Sequence, residues 1–403
     1  MSNSLVLVLN SGSSSLKFAI IDGKTGATNL TGLAECFGLP EANISWKING
    51  EKDGMPLTPN SDKNLEESIA KLVELVDQTG LKDSLIAVGH RVVQGGDIFK
   101  QSTTPVTEKS LADVKSLIDL APLHNAANAK GIEEGLKLFP NLPQFITVDT
   151  GFHQTMPEEA FMYPIPQELY RDLKIRRYGA HGTSHYFVSQ EAAKMLGKKP
   201  EDCNFITCHL GNGGSISAIK HGECIDTSMG LTPLAGVMMG TRSGDIDPSI
   251  YAHLMNHGWT SDEVFTMLNK KSGLLGISGK TSDFRGIADG YAEGDKDCTL
   301  AFKMFTYRVA KYIGSYLVAI GEPIDGLVFT GGIGENSRPM REDVISRLAV
   351  MGYEIDKAKN DVTWLGEKGT ISKKETPWTV VIPTNEEFVI AQQSLALVEA
   401  AKK

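Results

Sequence analysis

Apolar and polar positions along the chain switch between a period of two and a helical period. The run Leu5-Val6-Leu7-Val8-Leu9 leads into the polar stretch Asn10-Ser11-Gly12-Ser13-Ser14-Ser15. A second apolar run at 16–21 ends at Asp22-Gly23, which predicts a β-hairpin. The pattern returns later as the apolar run 205–210, the loop Gly211-Asn212-Gly213-Gly214, a second run at 215–219 and the turn His221-Gly222. A further echo relates 145–151 to 327–332, each an apolar strand entering a small-residue loop. Two echoes in the same order suggest a duplication, but their spacings differ and the identity is slight, so the sequence leaves that question open.

Helical patterns fill the intervals. Ser61 and Asp62 precede Leu65, Ile69, Leu72, Val73 and Val76, with Gly80 as the stop. Similar patterns predict helices near 108–120, 125–138, 184–196, 248–257 and 299–320. Near the end, the strand 380–382 and a short loop precede an apolar-periodic run to Ala400, whose destination periodicity does not reveal. Strands interleaved with helices predict an α/β architecture with two sheets and a cleft between them.

A chain of 403 residues suggests two to three domains at about 150 residues each. The excess of 49 acidic over 40 basic residues gives a net charge of −9, which disfavours nucleic acid or an anionic membrane as partner. Apolar runs are far shorter than the roughly 20 residues of a membrane helix, and the amino terminus lacks a signal pattern, so a cytoplasmic enzyme or ATPase is expected. The 5 cysteines include no CxxC pair, so neither a disulfide framework nor a structural zinc site is expected.

Gly- and Ser-rich loops after strands offer backbone N–H groups to a phosphate. Three are present: NSGSSS at 10–15, GNGGS at 211–215 and TGGIGEN at 330–336. Together they favour a nucleotide site. The stretch around Gly279-Lys280-Thr281 is not a P-loop, because that motif needs glycine where Leu274 stands. Arg91 and Arg242, each beside glycines, are either fork-shaped grips for carboxylate or phosphate or surface ion-pair residues. His181 and His185 have the spacing of a helical metal pair, yet Gly182-Thr183-Ser184 reads as a helix start, which favours His181 as a phosphate donor at a helix entrance. Asp149 ends a strand, where it either projects into a cleft or forms an Asx turn.

The segments NSGSSSLKF, GHRVVQGG, APLHN, DTGFHQTMP, RRYGAHGTSH, HLGNGGS, MGLTPLAGVMMGTRSGDIDP, SDFRG, FTGGIGEN and PTNEE together resemble the acetate kinase (acetokinase) family, over residues 5 to about 393. The resemblance implies the acetate and sugar kinase, heat-shock chaperone and actin superfamily. Its fold would comprise two α/β domains with duplicated βββαβαβα (actin-like ATPase, ribonuclease H-like) cores and ATP in the interdomain cleft. An N-terminal domain of 1–150 with 384–403 and a C-terminal nucleotide-binding and dimerisation domain of 151–383 are expected.

By the same resemblance the reaction is reversible, Mg²⁺-dependent transfer of the ATP γ-phosphoryl group to acetate, giving acetyl phosphate and ADP, with Mn²⁺ as a substitute metal and a homodimer as the assembly. Asn10 and Glu386 would hold Mg²⁺; Lys17 and the loop at Ser13 would meet the terminal phosphates. Arg91 would grip the acetate carboxylate, with Val93, Leu123 and Pro233 around its methyl group. Asp149 occupies the family's proton donor or acceptor position, although acetate is already a nucleophile at neutral pH, so an organiser of Mg²⁺ is the better reading. His181 and Arg242 would stabilise the transferring phosphoryl group. His209, Leu210, Gly211, Asn212 and Gly213, then Asp283, Phe284 and Arg285, then Gly331, Gly332, Ile333, Gly334 and Glu335 would line the nucleotide. Two departures stand out: Gln94 replaces the family's usual His, and Lys280 lies where smaller or uncharged residues are common. The alternatives are a propionate or butyrate kinase of the same family and, from another class, an actin-like ATPase switch, for which two core domains leave little room.

Overall fold

The computed structural model describes residues 4–122 and 124–402. The chain divides into two compact units, one of Met1–Gly151 with Asn385–Lys403 and the other of Phe152–Thr384.

The first unit is built on a sheet of β1 (Leu5–Ser11), β2 (Ser15–Asp22), β3 (Thr28–Glu35), β4 (Asn43–Ile48), β5 (Glu51–Pro56), β6 (Leu85–Val92), β7 (Thr103–Pro105) and β8 (Gln144–Val148). The strand order is β5-β4-β3-β2-β1-β6-β8-β7, with β6 parallel to β1 and β8 parallel to β6. β1 is apolar at every position from Leu5 to Leu9 because both of its faces are covered. Leu7 and Leu9 pack with Leu65, Ile69 and Leu72 of the helix Asn64–Gln78. Val6 and Val8 meet Ile390, Ala391 and Leu395 of the helix Glu386–Ala400 on the other side. This last helix approaches β6 so closely that a methyl group on Gly89 would lie 2.5 Å from Cγ2 of Ile390.

The second unit repeats the scheme with β9 (Phe205–Leu210), β10 (Gly214–Lys220), β11 (Glu223–Thr227), β12 (Gly326–Thr330), β13 (Gly369–Thr370) and β14 (Thr379–Val381), in the order β11-β10-β9-β12-β14-β13. Ile206, Cys208 and Leu210 face Phe302, Phe305 and Val309 of the long helix Lys296–Ile320. Phe205 faces Val188 and Ala192 of the helix Gly182–Met195. The long helix begins three residues before the expected 299 because Asp295 caps it, accepting the Cys298 N–H at 2.9 Å.

The shared order β3-β2-β1-β6-β8 and β11-β10-β9-β12-β14 supports the duplication and corrects one of its echoes. The hairpin β1–β2 corresponds to β9–β10 as expected. The strand 327–330, however, occupies the place of β6 rather than that of the strand at 145–148, which corresponds to β14. Parallel central strands with small-residue exits look alike in sequence, and the hydrogen-bonding neighbour decides which is which. The expected loop at 330–336 is also shorter than it reads, since Gly331–Asn336 forms a short helix. All 5 cysteines are free thiols.

Buried His90 on β6 has Nε2 2.8 Å from Oε1 of Gln144. Burial lowers its pKa from 6.5 to about 4, against the opposing pull of the Gln144 bond. The unfolded chain therefore binds a proton that the folded one refuses, and stability is full above pH 6.5 and falls as the pH drops towards 4. The loss should be on the order of 3 kcal/mol from this group. Urea unfolding at pH 7.5 and 4.5 should show a smaller loss in His90→Gln than in the parent; equal losses would contradict the assignment.

Candidate functional site

In the first unit the strand ends and the start of the last helix bring charged groups together. Asp149 follows β8 and is 1% exposed, and both of its oxygens accept from Arg91 on β6, Nε to Oδ1 at 2.9 Å and Nη2 to Oδ2 at 2.7 Å. Glu386 lies 3.9 Å from Nε of the same arginine. Burial works against the charge of Arg91, but Asp149 and Glu386 outweigh it and hold the guanidinium above its ordinary value. Burial in turn raises the Asp149 carboxyl, opposed by the Arg91 charge. Arg91 thus spends its Nε/Nη2 edge on Asp149, which leaves the end of the guanidinium at Nη1 and the second Nη2 proton for a further carboxylate, and Asp149 acts first as its clamp.

Asn385 caps the last helix by accepting the Phe388 N–H at 3.1 Å, which sets Glu386 and Glu387 in the first turn. Acidic residues are favoured there by the helix dipole. Glu387 forms an ion pair with Lys17, and Lys17 is the register partner of Asn10 in the β1–β2 hairpin. Ser13 is exposed in the intervening bend.

Two asparagines that the sequence reading did not single out tie this region together. On the helix Asn125–Leu138, Asn125 accepts the Gln94 N–H at 3.1 Å and donates to the Gln94 carbonyl at 2.9 Å. Asn128 accepts the Val93 N–H at 3.1 Å and donates to the Ser11 carbonyl at 2.7 Å. Both are buried, and their spacing of three on one helix face was the available signal. The unusual Gln94 side chain accepts the Gly96 N–H at 2.9 Å, so its carbonyl is spent inside its own loop. Leu123 lies outside the described residues.

In the second unit His181 precedes the helix Gly182–Met195 with a left-handed backbone, φ 57°, which is uncommon for a residue with a side chain. Its Nδ1 lies 2.8 Å from Oγ of Ser215 on β10, and its ring stacks on His209 with centroids 4.1 Å apart. His209 is held in turn by Ser184, 2.7 Å from its Nδ1. The two histidines of the His181/His185 spacing share Ser215: His185 is fully buried, its nitrogens engaged by Thr207 at 2.7 Å and Ser215 at 2.8 Å.

Arg242 sits on a loop laced to the following segment by backbone bonds, among them Ser272 N–H to the Thr241 carbonyl and Leu274 N–H to the Met239 carbonyl, both 2.9 Å. Its Nη1 donates to the Pro233 carbonyl at 3.1 Å, so Pro233 is a neighbour of this arginine. Burial lowers the Arg242 pKa. No carboxylate among the described residues forms an ion pair with it. A methyl group on Gly213 would lie 3.2 Å from Arg242 Nη1 and 3.8 Å from His181 Nε2, so the bare backbone of Gly213 leaves room where both side chains converge. A half-buried guanidinium without a counter-charge is a receptor for an anion.

Beside this point lies a cavity of about 960 Å³ lined by Gly211, Asn212, Asp283, Phe284, Arg285, Gly332 and Ile333 from the expected set. Asp283 caps its helix, accepting from Arg285 N–H at 2.9 Å and pairing with the Arg285 side chain at 2.6 Å. Leu210 is instead fully buried in the core. Gly331 has φ +76°, and a side chain there would strike the backbone of Leu210 at 2.8 Å. Glu335 is turned inward: its Oε1 accepts the N–H groups of Gly331 at 2.9 Å and Thr384 at 3.2 Å. Gly334 is buried in the same short helix. Trp364 and Arg338, with the guanidinium 4.7 Å from the ring centroid, also line the cavity; no motif in the sequence marked them. The Gly279-Lys280-Thr281 stretch follows the end of a short helix, Gly273–Ser278, the reverse of P-loop geometry.

Comparison with known proteins gives the family. The model of the acetokinase family matches residues 5–392. The chain is 55% identical over 399 residues to acetate kinase 2 of Vibrio cholerae serotype O1, covering 98% of this chain and 100% of the relative. Among solved structures it is similar to a propionate kinase from Francisella tularensis, with 45% identity, a TM-score of 0.91 and coverage of 98% and 99%. It is equally similar in fold to an acetate kinase of Porphyromonas gingivalis, with 41% identity, a TM-score of 0.91 and coverage of 98% and 100%. The fully covered sequence and the two matched sheets leave one assignment: the chain belongs to the acetokinase family.

Proposed function

We propose that this chain is an acetate kinase that moves the γ-phosphoryl group of ATP to acetate by direct in-line transfer, and runs in reverse from acetyl phosphate and ADP. The observation that carries the reading is Arg242, half-buried, without a carboxylate partner among the described residues and converging with His181 on the open backbone of Gly213. In a loose transition state charge gathers on the equatorial oxygens of the phosphoryl group, and fixed donors there lower the barrier. Acetate needs no base at neutral pH. Arg91 binds its carboxylate through the Nη1 end of the guanidinium, while Asp149 fixes the guanidinium plane. The cavity beside Asn212, Asp283 and Gly332 takes the nucleotide.

Mg²⁺ suits the donors in the first unit. Glu386 and Asn10 offer one carboxylate and one amide oxygen, the sparse protein share that Mg²⁺ takes when phosphates and water complete its octahedron. Bound there, the metal would neutralise phosphate charge. Asp149 has both oxygens committed to Arg91, so its part in holding a metal would be indirect. Mn²⁺ is expected to substitute.

A homodimer through the second unit is part of the same reading, supported by exposed apolar residues such as Leu300, Tyr307 and Val318 on the long helix. So is a cytoplasmic setting; among the described residues no helix is long and apolar enough to cross a membrane. Propionate is the second substrate to consider, because a solved propionate kinase shares the fold at 45% identity. One methylene changes discrimination by only about 1–3 kcal/mol.

Trapping acyl phosphate with hydroxylamine in the presence of ATP and Mg²⁺ tests the reading, with acetate, propionate and butyrate in parallel. The highest kcat/KM is expected for acetate. A higher value for propionate would reassign the substrate, and ATP hydrolysis without acyl phosphate would move the protein to the switch class.

A further inference from the structure

We propose that Ser215 and His185 are positioning residues for phosphoryl transfer, acting through His181: the relay Thr207–His185–Ser215–His181 holds the His181 imidazole with its proton on Nε2. The inference rests on the role given to His181 under the proposed function and deepens it.

The geometry is a chain of four groups. Thr207 Oγ1 lies 2.7 Å from Nδ1 of His185, and Nε2 of His185 lies 2.8 Å from Oγ of Ser215. That oxygen is also 2.8 Å from Nδ1 of His181. Thr207, His185 and Ser215 are fully buried, so water cannot relax the arrangement. Ser215 has one proton and two imidazole neighbours; it can donate to only one, and when it does it accepts from the other. Burial, with His153 and His209 adding to it, holds the pKa of His185 well below its ordinary value, so His185 carries a single N–H.

With neutral rings and the Ser215 proton spent inside the chain, two polarities satisfy every bond. In one, Thr207 donates to His185 Nδ1, His185 Nε2–H donates to Ser215, and Ser215 donates to His181 Nδ1. The His181 proton then resides on Nε2, the nitrogen nearest the Arg242–Gly213 corner. In the other, every bond reverses and Nε2 of His181 carries a lone pair, which would repel a phosphoryl oxygen. A donor towards an anion requires the first polarity. Stacking on His209 then fixes the ring plane, while the relay sets its edge.

Two-bond ¹H–¹⁵N spectra of the full-length protein labelled in histidine read the tautomer directly, with His181→Gln used to assign the signal. The expected spectrum of the parent at neutral pH has a protonated Nε2 and an acceptor-type Nδ1 at His181. Ser215→Ala should move that signal towards tautomer averaging. The same change should lower kcat about tenfold or more while KM for acetate and for ATP stays within about twofold. Thr207→Val, isosteric and two bonds further out, should give the same change in weaker form. A parent spectrum with the His181 proton on Nδ1 overturns the proposal without any variant having to fold, as does a Ser215→Ala protein with both tautomer and kcat unchanged. A parent protein that forms no acyl phosphate overturns the kinase reading, and with it the catalytic use of the relay, while the spectrum still decides the tautomer.

Discussion

Arg242→Ala is expected to lower kcat by about 10²-fold or more, with a much smaller change in KM for acetate. The reason is that its charge meets no carboxylate among the described residues. Nη1 contacts a backbone carbonyl and Met239 Sδ, and burial already pushes the guanidinium below its ordinary pKa. On the proposed function the favourable interaction is made with the transferring group, where negative charge collects in the transition state. The same fact predicts what will not happen. Removing this arginine leaves no buried carboxylate behind, so the urea midpoint should move by no more than about 1 kcal/mol equivalent. Steady-state kinetics and urea unfolding of one preparation test both halves. An Arg242→Ala protein that unfolds early but retains kcat would reverse the assignment and make Arg242 a structural residue.

Asp149→Ala should behave in the opposite way and destabilise the protein by about 3 kcal/mol. Its carboxylate is 1% exposed and accepts two bonds from Arg91, so its loss strands a largely buried guanidinium. Glu386 at 3.9 Å compensates only in part, which places the cost near the low end of what breaking a buried pair incurs. Asp149→Asn, which retains acceptor capacity but loses the charge, should cost about half as much. Kinetically, freeing the Arg91 fork should chiefly raise KM for acetate, as should Arg91→Ala, because the carboxylate then meets an arginine with no fixed plane. Arg91→Ala should also lose stability, since it leaves the buried Asp149 unpaired. Unfolding midpoints that match the parent for both variants would show the pair to be energetically idle.

Much of the fold was legible because its elements are locally encoded. The opening hairpin, the helix at 125–138 and the one-turn helix start after His181 follow from apolar spacing, turn residues and caps. The strands at 28–35, 43–48 and 51–56 were not marked, since β5 is exposed along its whole length and carries no apolar signal. The candidate residues were legible through family motifs, yet their partners were not. Arg91 and Asp149 stand 58 positions apart, and nothing in either motif says that the Arg91 fork is engaged by an internal carboxylate. Trp364 is a lone aromatic without periodic context, and only folding sets it beside Arg338 and the cavity.

The sequence by itself determined the α/β class, most element positions and the residues able to grip anions, because hydrophobic period, caps and side-chain chemistry act over a few residues. Tertiary structure decided which strand is the counterpart of which, through the parallel pairing of β6 and β12 with their neighbours. It also decided how the last helix, which the family resemblance assigns to the N-terminal domain, packs there, through the close approach of Ile390 to Gly89. Above all it decided the state of each charge: Asp149 clamped, Arg242 without a carboxylate among the described residues and His185 desolvated between Thr207 and Ser215. Those states depend on burial and on partners distant in sequence, and neither exists until the chain has closed upon itself.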